Sequence, residues 1–538
     1  MGIPSYFSYI IKNYTNIIRS LSNISLNNDN KNDKFTHLYM DCNSIVYDSY
    51  YELDKVDVES IEDIIIDSVI SKIEYYIKLL NPTKCIYIAF DGVAPFAKME
   101  QQKLRRYKSS FTAIVNNEYI RKEIKNKWNT SSITPGTQFM YKLNEKLKYH
   151  FNHSEQRYNC NEVIVSCSDE HGEGEQKLFS HIRSSSMNSD RISVYGLDSD
   201  LIMLSIFHLS YCKNIFIFRE APEFLRNSIP VDVSDNQPYF VDIDSLQYGI
   251  MEHMNCEYNN KQRIRDYVFL CFFLGNDFLP HFPSMNIRTH GMDVLLDTYK
   301  MTLGNKKDEY LINEENGKID WINVNKYINK VQEKEEEYLK QEHSNRNRFD
   351  SYKFGETTTE EKEKALQNTP IIYRREEKYI SPYEYGWEER YYKSLFGKER
   401  KPKNLKEICN NYIEGLEWVY VYYTHDCIDW KWKYNYHYPP LFKDLIKYIP
   451  HFQMEYFSNT KQPHIFSPYT QLAYVLPKDN LYLLPKEKEV WLLKNYKEYY
   501  PENYNFIWAY CRYFWEAHPI VKDIPIPELN NIDTILRS

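Results

Sequence analysis

The 538-residue sequence predicts an α/β fold in which a parallel sheet carries helices on both faces. Three β-rich runs, at 38–41, 85–91 and 191–198, each lead to an aspartate and then to a helix-like pattern. A fourth run, at 163–166, leads into a stretch rich in Gly and Glu. Strands that alternate with helices form parallel sheets, whose ligands bind outside the carboxyl ends of the strands. We therefore expect the acidic side chains to converge at one edge of the sheet.

The elements around the first two strands follow from local patterns. Residues 3–18 carry apolar positions at helical spacing, and residues 21–33 are rich in Ser and Asn, which is typical of a loop. Residues 57–80 repeat apolar side chains at helical spacing and end at Asn81-Pro82. We expect this segment to be the crossover helix between the two strands.

A cluster of hydrogen-bond donors follows the strand that ends at Asp91. The predicted helix carries four donors on roughly one face: Lys98, Gln102, Arg105 and Arg106. A solvated basic helix is the ordinary alternative. Because Asp91 places negative charge beside these donors, the arrangement favours a site that cleaves phosphodiester bonds.

Two stretches, 170–177 and 194–200, place four carboxylates beside apolar runs: Glu173, Glu175, Asp198 and Asp200. Negative charge is unfavourable there unless a positive group lies among it, so a divalent metal is the simplest candidate. The alternative is a solvated turn with spare acids. The glycines do not complete a dinucleotide-binding loop, and the sequence contains no GxxxxGK[ST] phosphate loop.

The second half of the chain is less informative. Asp277 follows the apolar run at 267–274, either as another site acid or as the end of a helix. Residues 301–392 are dense in Glu and Lys, and we interpret them as a solvated insertion that is partly helical or disordered. Further on, Trp430 and Trp432 alternate with lysines. They either stack on the bases of a single strand or belong to the core.

Composition limits the class of protein. A net charge of −8 and a pI near 6.1 argue against binding of nucleic acid by overall charge, so a polyanion requires a local basic patch. Ten cysteines without a C-x-x-C pair favour reduced thiols over a disulfide framework or a zinc site. No apolar run is long enough to span a bilayer and the N-terminus lacks a signal-peptide pattern, so we expect a soluble intracellular protein.

Several motifs together resemble the XRN family of 5′→3′ exoribonucleases. They are MGIP at 1–4, DGVAPFAKMEQQKLRR at 91–106, TPGT at 134–137, GEGEQK at 172–177, YGLDSDLIML at 195–204, FRE at 218–220, LGNDFLPHFPS at 274–284, YIEGLEWVY to YNYHYPP within 412–440, and PYTQLAYVLP to LLP within 468–485. The resemblance covers nearly the whole chain apart from the charged segment. Its motifs occur in the same order as in the family.

The resemblance implies a nuclease domain of the PIN-like or flap-nuclease class, with a mainly helical C-terminal region packed on it. It divides the chain into a catalytic domain at 1–300, a charged variable insertion at 301–400 and a second conserved region at 401–538 that completes the active-site cleft. It also implies a metal site made of seven acids: Asp41, Asp91, Glu173, Glu175, Asp198, Asp200 and Asp277. These acids would hold two Mg²⁺ ions, or Mn²⁺, about 4 Å apart for phosphodiester hydrolysis.

The same resemblance assigns the donor cluster to the terminal phosphate of the substrate. Lys98, Gln102, Arg105 and Arg106 match the 5′-phosphate pocket of the family. Tyr47 stands where the family has a His that stacks on the first base, and we expect Trp430 or Trp432 to complete the sandwich. Phe96 replaces a usual basic residue. The sequence ends near the second conserved region, which suggests a compact and virus-encoded member.

The predicted function is processive degradation of single-stranded 5′-monophosphate RNA to nucleoside 5′-monophosphates. The expected compartment is the cytoplasm, with the nucleus as the alternative. A structure-specific flap-type DNA endonuclease shares such an acidic site and is the first rival. A non-catalytic RNA-binding scaffold is the second rival, and the full set of acids argues against it.

Overall fold

The computed structural model describes residues 2–14, 16–25, 34–53, 60–120, 128–185, 187, 189–196, 198–220, 237–457 and 465–537. Parts of the predicted loop at 21–33 and of the predicted helix at 57–80 lie outside these residues, as do Met1 and Leu197 of the family motifs. The start of that loop, Leu21–Ser25, is a short helix. The predicted crossover helix is present as Ile61–Leu80.

Seven strands of the described residues form one sheet, and two more form a separate antiparallel pair. The strands are β1 Ile18–Ser20, β2 His37–Asp41, β3 Cys85–Ala89, β4 Glu162–Ser166, β5 Arg191–Tyr195, β6 Asn214–Arg219, β7 Tyr239–Asp242, β8 Asn505–Ile507 and β9 His518–Ile520. The parallel part of the sheet has the order β6-β5-β2-β3-β4, and β7 and β1 continue it antiparallel beyond β6. The predicted parallel sheet is therefore confirmed at its centre.

The α-helices occupy most of the remaining described chain. They are α1 Tyr6–Asn13, α2 Leu21–Ser25, α3 Asn43–Tyr51, α4 Ile61–Leu80, α5 Phe96–Val115, α6 Gln138–Phe151, α7 Glu155–Tyr158, α8 Gly174–Ser184, α9 Ser199–His208, α10 Ile243–Met254, α11 Arg263–Cys271, α12 Gly291–Tyr299, α13 Trp321–Gln332, α14 Glu335–Asn347, α15 Thr359–Gln367, α16 Thr369–Ile372, α17 Arg375–Ile380, α18 Trp387–Phe396, α19 Pro402–Thr424, α20 Phe442–Leu445, α21 Pro468–Val475, α22 Lys486–Asn495 and α23 Ile526–Arg537. Within the described residues, no helix combines the length and the apolar composition that crossing a bilayer requires.

Helices cover both faces of the sheet. On one face, Leu38 and Ile86 share a hydrophobic core with α4 and α6. On the other face, Tyr39 and Tyr87 share a core with α8, α9 and α10. Successive side chains of a strand point to opposite faces, so strands covered on both sides are apolar throughout. The predicted α/β class is confirmed.

The C-terminal helices pack directly on this α/β unit. Trp418 and Tyr420 of α19 are buried in the core that contains α9, and α19 contacts that helix along its length. The apolar side of α21 packs against α5, and α23 packs against α21. The predicted helical C-terminal region is therefore confirmed, and it lies against α5 and α9, which both carry predicted site residues.

The segment at 301–400 is helical and packed rather than solvated. Trp321 and Tyr327 of α13 are fully buried in the main core. Glu377 is buried between Arg346 and Arg374, with N–O distances of 2.6 and 2.7 Å. The expectation of a solvated or disordered segment is corrected for the described residues, because much of its charge is paired and its apolar residues recur at helical spacing. The domain boundaries at 300 and 400 stay a prediction.

Candidate active site

The carboxyl edge of the parallel strands brings the predicted acids together. Asp41 is the last residue of β2, Asp91 follows β3 by two residues, and Asp277 lies beyond α11. The helices α8 and α9 each begin with an acid at the N-cap and another in the first turn, namely Glu173, Glu175, Asp198 and Asp200. The partial positive charge of a helix N-terminus favours carboxylates at these positions. All seven acids line one cavity, and we call them the acid wall.

Two glycines allow the backbone to approach this wall. The amide of Gly174 donates to Asp91 Oδ1 at 2.7 Å, and a Cβ at this residue would lie 2.6 Å from Asp41 Oδ1. The amide of Gly2 donates to Asp277 Oδ1 at 3.0 Å. Gly2 has a φ of +48°, and a Cβ there would lie 2.7 Å from Asp200 Oδ1. A side chain at either residue would therefore displace an acid.

Several acids are held by partners on distant elements. Lys98 Nζ lies 2.5 Å from Glu173 Oε2 and 2.9 Å from Asp277 Oδ2. The Tyr422 hydroxyl donates to Glu173 Oε1 at 2.5 Å, and the Tyr423 hydroxyl donates to Asp200. These contacts fix the carboxylate positions, but they supply only one positive charge to the acid wall.

The electrostatics of the acid wall are unfavourable in the protein alone. Burial, together with neighbouring carboxylates, raises the pKa of Asp41 and Glu175 well above their ordinary values and that of Asp200 to about 7. Burial alone would also raise the pKa of Asp277, but Lys98 and Arg105 lower it. One buried oxygen, Asp41 Oδ1, has no hydrogen-bond partner among the described residues. A buried carboxylate oxygen that forms no hydrogen bond within the protein is available as a ligand for a cation.

The helix α5 lines the same cavity through its four predicted donors, which we call the donor wall: Lys98, Gln102, Arg105 and Arg106. Arg106 donates to the carbonyls of Thr130 and Ile133 at 3.2 and 2.9 Å and to the Thr134 hydroxyl at 2.5 Å. Gln102 Oε1 accepts from Gln471 of α21 at 3.0 Å.

Arg105 differs from the rest of the donor wall. It makes no hydrogen bond or ion pair with another described residue, although Tyr47 and Asp277 raise its pKa against the effect of burial. Its guanidinium group therefore offers its donors to a ligand. Lys98 is instead committed to the acid wall through Glu173 and Asp277.

Comparisons with known proteins agree with this arrangement. Residues 1–221 match the XRN 5′-3′ exonuclease N-terminus, and residues 257–381 and 377–518 match the Xrn1 helical domain. The chain belongs to the XRN family. The predicted family and the predicted 5′-3′ exoribonuclease class are thereby confirmed, and the helical-domain match includes the whole segment at 301–400 that was predicted as an insertion.

Individual relatives of this XRN chain have low sequence identity to it, but the similarity extends over most of the chain. It is 25% identical to 5′-3′ exoribonuclease 2 of Debaryomyces hansenii, covering 94% of this chain and 67% of that protein. It is 26% identical to 5′-3′ exoribonuclease 2 of Arabidopsis thaliana, covering 98% and 66%, and 26% identical to 5′-3′ exoribonuclease 1 of Saccharomyces cerevisiae, covering 90% and 40%. It thus spans about two thirds of the length of the first two relatives. Among solved structures, the catalytic core of Rad2 in complex with DNA substrate has a TM-score of 0.32 at 15% identity over 64% of this chain and 80% of that one, too weak to carry an argument.

Of the three predicted stacking residues of this XRN chain, Tyr47 is the one that lines the described part of the cavity. Tyr47 on α3 lines the cavity, and the neighbouring Arg106 and Arg105 lower its pKa although burial would raise it. The two tryptophans are not among the described residues that line this cavity. Trp432 is buried and stacks on Trp418 at 5.1 Å, and the Trp430 ring lies edge-on to His171 at 5.4 Å. The sandwich of Tyr47 with either tryptophan stays a prediction.

Sequence reasoning missed other residues of the XRN site. Asn43 and Arg219 line the cavity, and Asn43 Oδ1 accepts from the amide of Asp91 at 3.2 Å. Tyr422 and Tyr423 lie within the 412–440 motif, but no sequence signal marks them as partners of the acids. Gly2 was part of a recognised motif, but its amide contact with Asp277 has no sequence signal beyond that motif.

Proposed function

We propose that this XRN chain hydrolyses single-stranded 5′-monophosphate RNA processively from its 5′ end and releases nucleoside 5′-monophosphates, using two divalent cations. The observation that carries the proposal is the composition of one cavity. Seven carboxylates line this cavity together with Arg105, whose guanidinium has no hydrogen-bond or ion-pair partner among the described residues. Hydrolysis of the phosphodiester bond next to a terminal phosphate needs carboxylates that hold the cations and a positive group that binds the phosphate.

The acid wall fits Mg²⁺, with Mn²⁺ as the alternative. Its ligand atoms are all carboxylate oxygens, which hard cations prefer. Asp41 Oδ1 is buried without a hydrogen-bond partner among the described residues, and burial together with the neighbouring Asp277 raises the pKa of Asp200. When bound between these acids, the ions supply Lewis-acid polarisation of the phosphate and a lowered pKa of water.

The residues of the chain itself hold the acids and bind the RNA end. Lys98 keeps Glu173 and Asp277 together, and Tyr422 and Tyr423 hold Glu173 and Asp200 in place. Arg105 would bind the terminal phosphate with charge-assisted hydrogen bonds, which are roughly twice as strong as neutral ones. A 5′-hydroxyl forfeits these bonds. A triphosphate or a cap adds bulk at an end that α5 closes off.

We also propose a cytoplasmic location, with the nucleus as the alternative. All ten cysteines lie in the described part of the chain, and each is a free thiol. Reduced thiols are characteristic of both compartments. Protein partners are not part of the proposal.

One substrate panel tests the proposed activity. The same single-stranded RNA carrying a monophosphate, hydroxyl, triphosphate or cap at its 5′ end is incubated with the protein and Mg²⁺, beside a flapped DNA duplex. We expect mononucleotides from the monophosphate RNA alone, with no intermediate lengths while full-length substrate remains. Equal digestion of hydroxyl and monophosphate ends would contradict the pocket, and preferential cleavage of the flap would favour the endonuclease rival.

A further inference from the structure

Three potential metal ligands meet at the edge of the sheet opposite to the acid wall. Cys85 is the first residue of β3, Glu162 is the first residue of β4, and His181 lies on α8. One ligand atom from each residue lies within 4.8 Å of the other two. Asp91 lies six positions after Cys85, beyond the other end of β3, which corresponds to about 20 Å at ~3.3 Å per residue of extended chain. This cluster is therefore separate from the catalytic cavity.

The sheet itself aligns the first two groups. Cys85 and Glu162 are paired in register between two parallel strands, so their side chains project from the same face. Cys85 is buried in the core that includes Leu178 and Ile182 of α8, the helix that carries His181. A sequence spacing of 85, 162 and 181 contains no motif, which is why the cysteine pattern argued against a zinc site.

The hydrogen bonds around His181 leave one ring nitrogen for a ligand. The Tyr39 hydroxyl lies 2.8 Å from His181 Nδ1 and 3.7 Å from the sulfur of Met187. In the tautomer in which Nδ1–H donates to the Tyr39 hydroxyl, Nε2 keeps its lone pair for a metal. A hydrogen bond to the far ring nitrogen is the usual support of a metal-binding histidine. Neither the Cys85 thiol nor the Glu162 carboxylate forms a hydrogen bond with another described residue.

We propose that Cys85, Glu162 and His181 bind one Zn²⁺ ion, with water as the fourth ligand. Thiolate and imidazole favour Zn²⁺ over Mg²⁺. Zinc bonds of about 2.0–2.3 Å place tetrahedral ligand atoms roughly 3.5 Å apart, so the side chains close by about 1 Å, which the exposed Glu162 achieves by rotation. The ion joins β3, β4 and α8. It thereby anchors α8, the helix whose first turn contributes to the acid wall.

Metal content and a cobalt spectrum test the site. Full-length protein expressed with zinc and dialysed against Mg²⁺ should retain about one zinc per chain by mass spectrometry, as a three-ligand site with water would. Replacement by Co²⁺ should give a thiolate-to-metal charge-transfer absorption, which the catalytic carboxylates cannot produce. Cys85→Ser should abolish both signals. Cys160→Ser is the matched control, because that thiol lies next to Glu162, and it should leave both signals intact.

Two milder variants keep the test valid if Cys85→Ser folds poorly. Glu162→Gln changes an exposed side chain and should weaken zinc binding while the absorption remains. Tyr39→Phe removes only the hydroxyl that orients His181, and should weaken binding roughly 10–100-fold. Wild-type protein without zinc after this dialysis would overturn the proposal. So would a charge-transfer absorption that survives Cys85→Ser or disappears in Cys160→Ser.

Discussion

The two walls of the catalytic cavity are built on opposite principles. On the acid wall, like charges are crowded, one buried oxygen of Asp41 lacks a partner among the described residues, and the pKa of Asp200 is raised to about 7. On the donor wall, both terminal nitrogens of Arg106 and the side-chain oxygen of Gln102 already form hydrogen bonds, with the 130–134 loop and with α21 respectively. Under the proposed function the acid wall needs a cation to compensate its charge, whereas most donors of the donor wall are already held by the protein.

This difference predicts how each wall responds to mutation. Loss of one carboxylate removes a ligand that nothing else in the cavity replaces. On the donor wall only Arg105 has no partner among the described residues, so its loss should affect the ligand rather than the fold. Lys98 joins the two walls through Glu173 and Asp277, and its charge serves the acids first.

The largest expected effect is on the acid wall. Asp200→Asn should reduce RNA hydrolysis about 10³-fold or more, because metal ions contribute several kcal/mol to charge stabilisation in the transition state. The variant keeps an oxygen that accepts from Tyr423, so folding should be preserved. Single-turnover rates on 5′-monophosphate RNA measure the loss, and filter binding of the same RNA should remain detectable.

The control for Asp200→Asn is Asp169→Asn. Asp169 pairs with Lys148 at 2.5 Å and is not among the described residues that line the cavity. The Asp169→Asn variant should keep wild-type turnover. Near wild-type turnover in Asp200→Asn would show that the acid wall is not the metal site.

The next effect is on the donor wall. Arg105→Ala should lower kcat/KM for 5′-monophosphate RNA about 10–100-fold, because hydrogen bonds to charged groups contribute roughly 1.5–3 kcal/mol. Activity on 5′-hydroxyl RNA should hardly change, so the ratio of the two substrates is the informative measurement. Arg105→Lys keeps the charge but loses the planar fork and should recover only part of the ratio.

Lys108→Ala provides the comparison for Arg105→Ala. It removes a cation three residues further along α5, whose Nζ donates to the carbonyl of Trp515 at 2.6 Å. The monophosphate-to-hydroxyl ratio should stay at the wild-type value. If Arg105→Ala left the ratio unchanged as well, Arg105 would not be the group that reads the terminal phosphate.

The sequence predicted those parts of the site that local periodicity determines. Strand runs ending at Asp41 and Asp91 placed acids at one edge of the sheet, and the helical repeat placed Gln102 and Arg105 on one face of α5. Both inferences need only the geometry of one strand or one helix. The commitment of Arg106 to the 130–134 loop lies beyond such periodicity.

The parts that the sequence did not predict depend on long-range packing. Tyr423 donates to Asp200 across 223 positions of sequence, and Trp432 is buried in a stacked contact with Trp418. Charge density suggested that 301–392 is solvated, but it cannot report that Glu377 is buried between two arginines. Pairing of charges is a property of the folded chain, so composition alone misjudges it.

A smaller effect is expected at Tyr47, which also lines the cavity. Tyr47→Ala should slow hydrolysis of unstructured RNA about tenfold, because base stacking contributes roughly 1–3 kcal/mol. Tyr47→Phe keeps the ring and should retain most of the rate. Trp430→Ala should have less effect than Tyr47→Ala, since the Trp430 ring lies against His171. Equal losses in Tyr47→Ala and Trp430→Ala would instead support the sandwich, and no loss in either would exclude stacking.

The smallest effect is the dependence of Mg²⁺ affinity on pH. Burial and the neighbouring Asp277 raise the pKa of Asp200 from 3.8 to about 7, and the protonated carboxyl cannot ligate a cation. The ionised fraction of a group with this pKa falls about twofold between pH 8 and pH 7, so the half-saturating Mg²⁺ concentration should rise at least about twofold. Activity measured against Mg²⁺ at both pH values gives this number.

The raised pKa of Asp200 also determines how the free energy of unfolding changes with pH. Between pH 4 and pH 7 the folded, metal-free protein holds the Asp200 proton while the unfolded chain has released it, so this group makes the free energy of unfolding decrease as pH rises. Added Mg²⁺ should counteract the decrease most strongly at pH 8, where the carboxylates are ionised. Thermal unfolding at pH 6 and pH 8 with and without Mg²⁺ measures both effects, with Asp200→Asn as the control in which the pH dependence shrinks. A Mg²⁺-induced rise in Tm that is larger at pH 6 than at pH 8 would contradict ligation by ionised carboxylates, because protons and Mg²⁺ would then not compete for the acid wall.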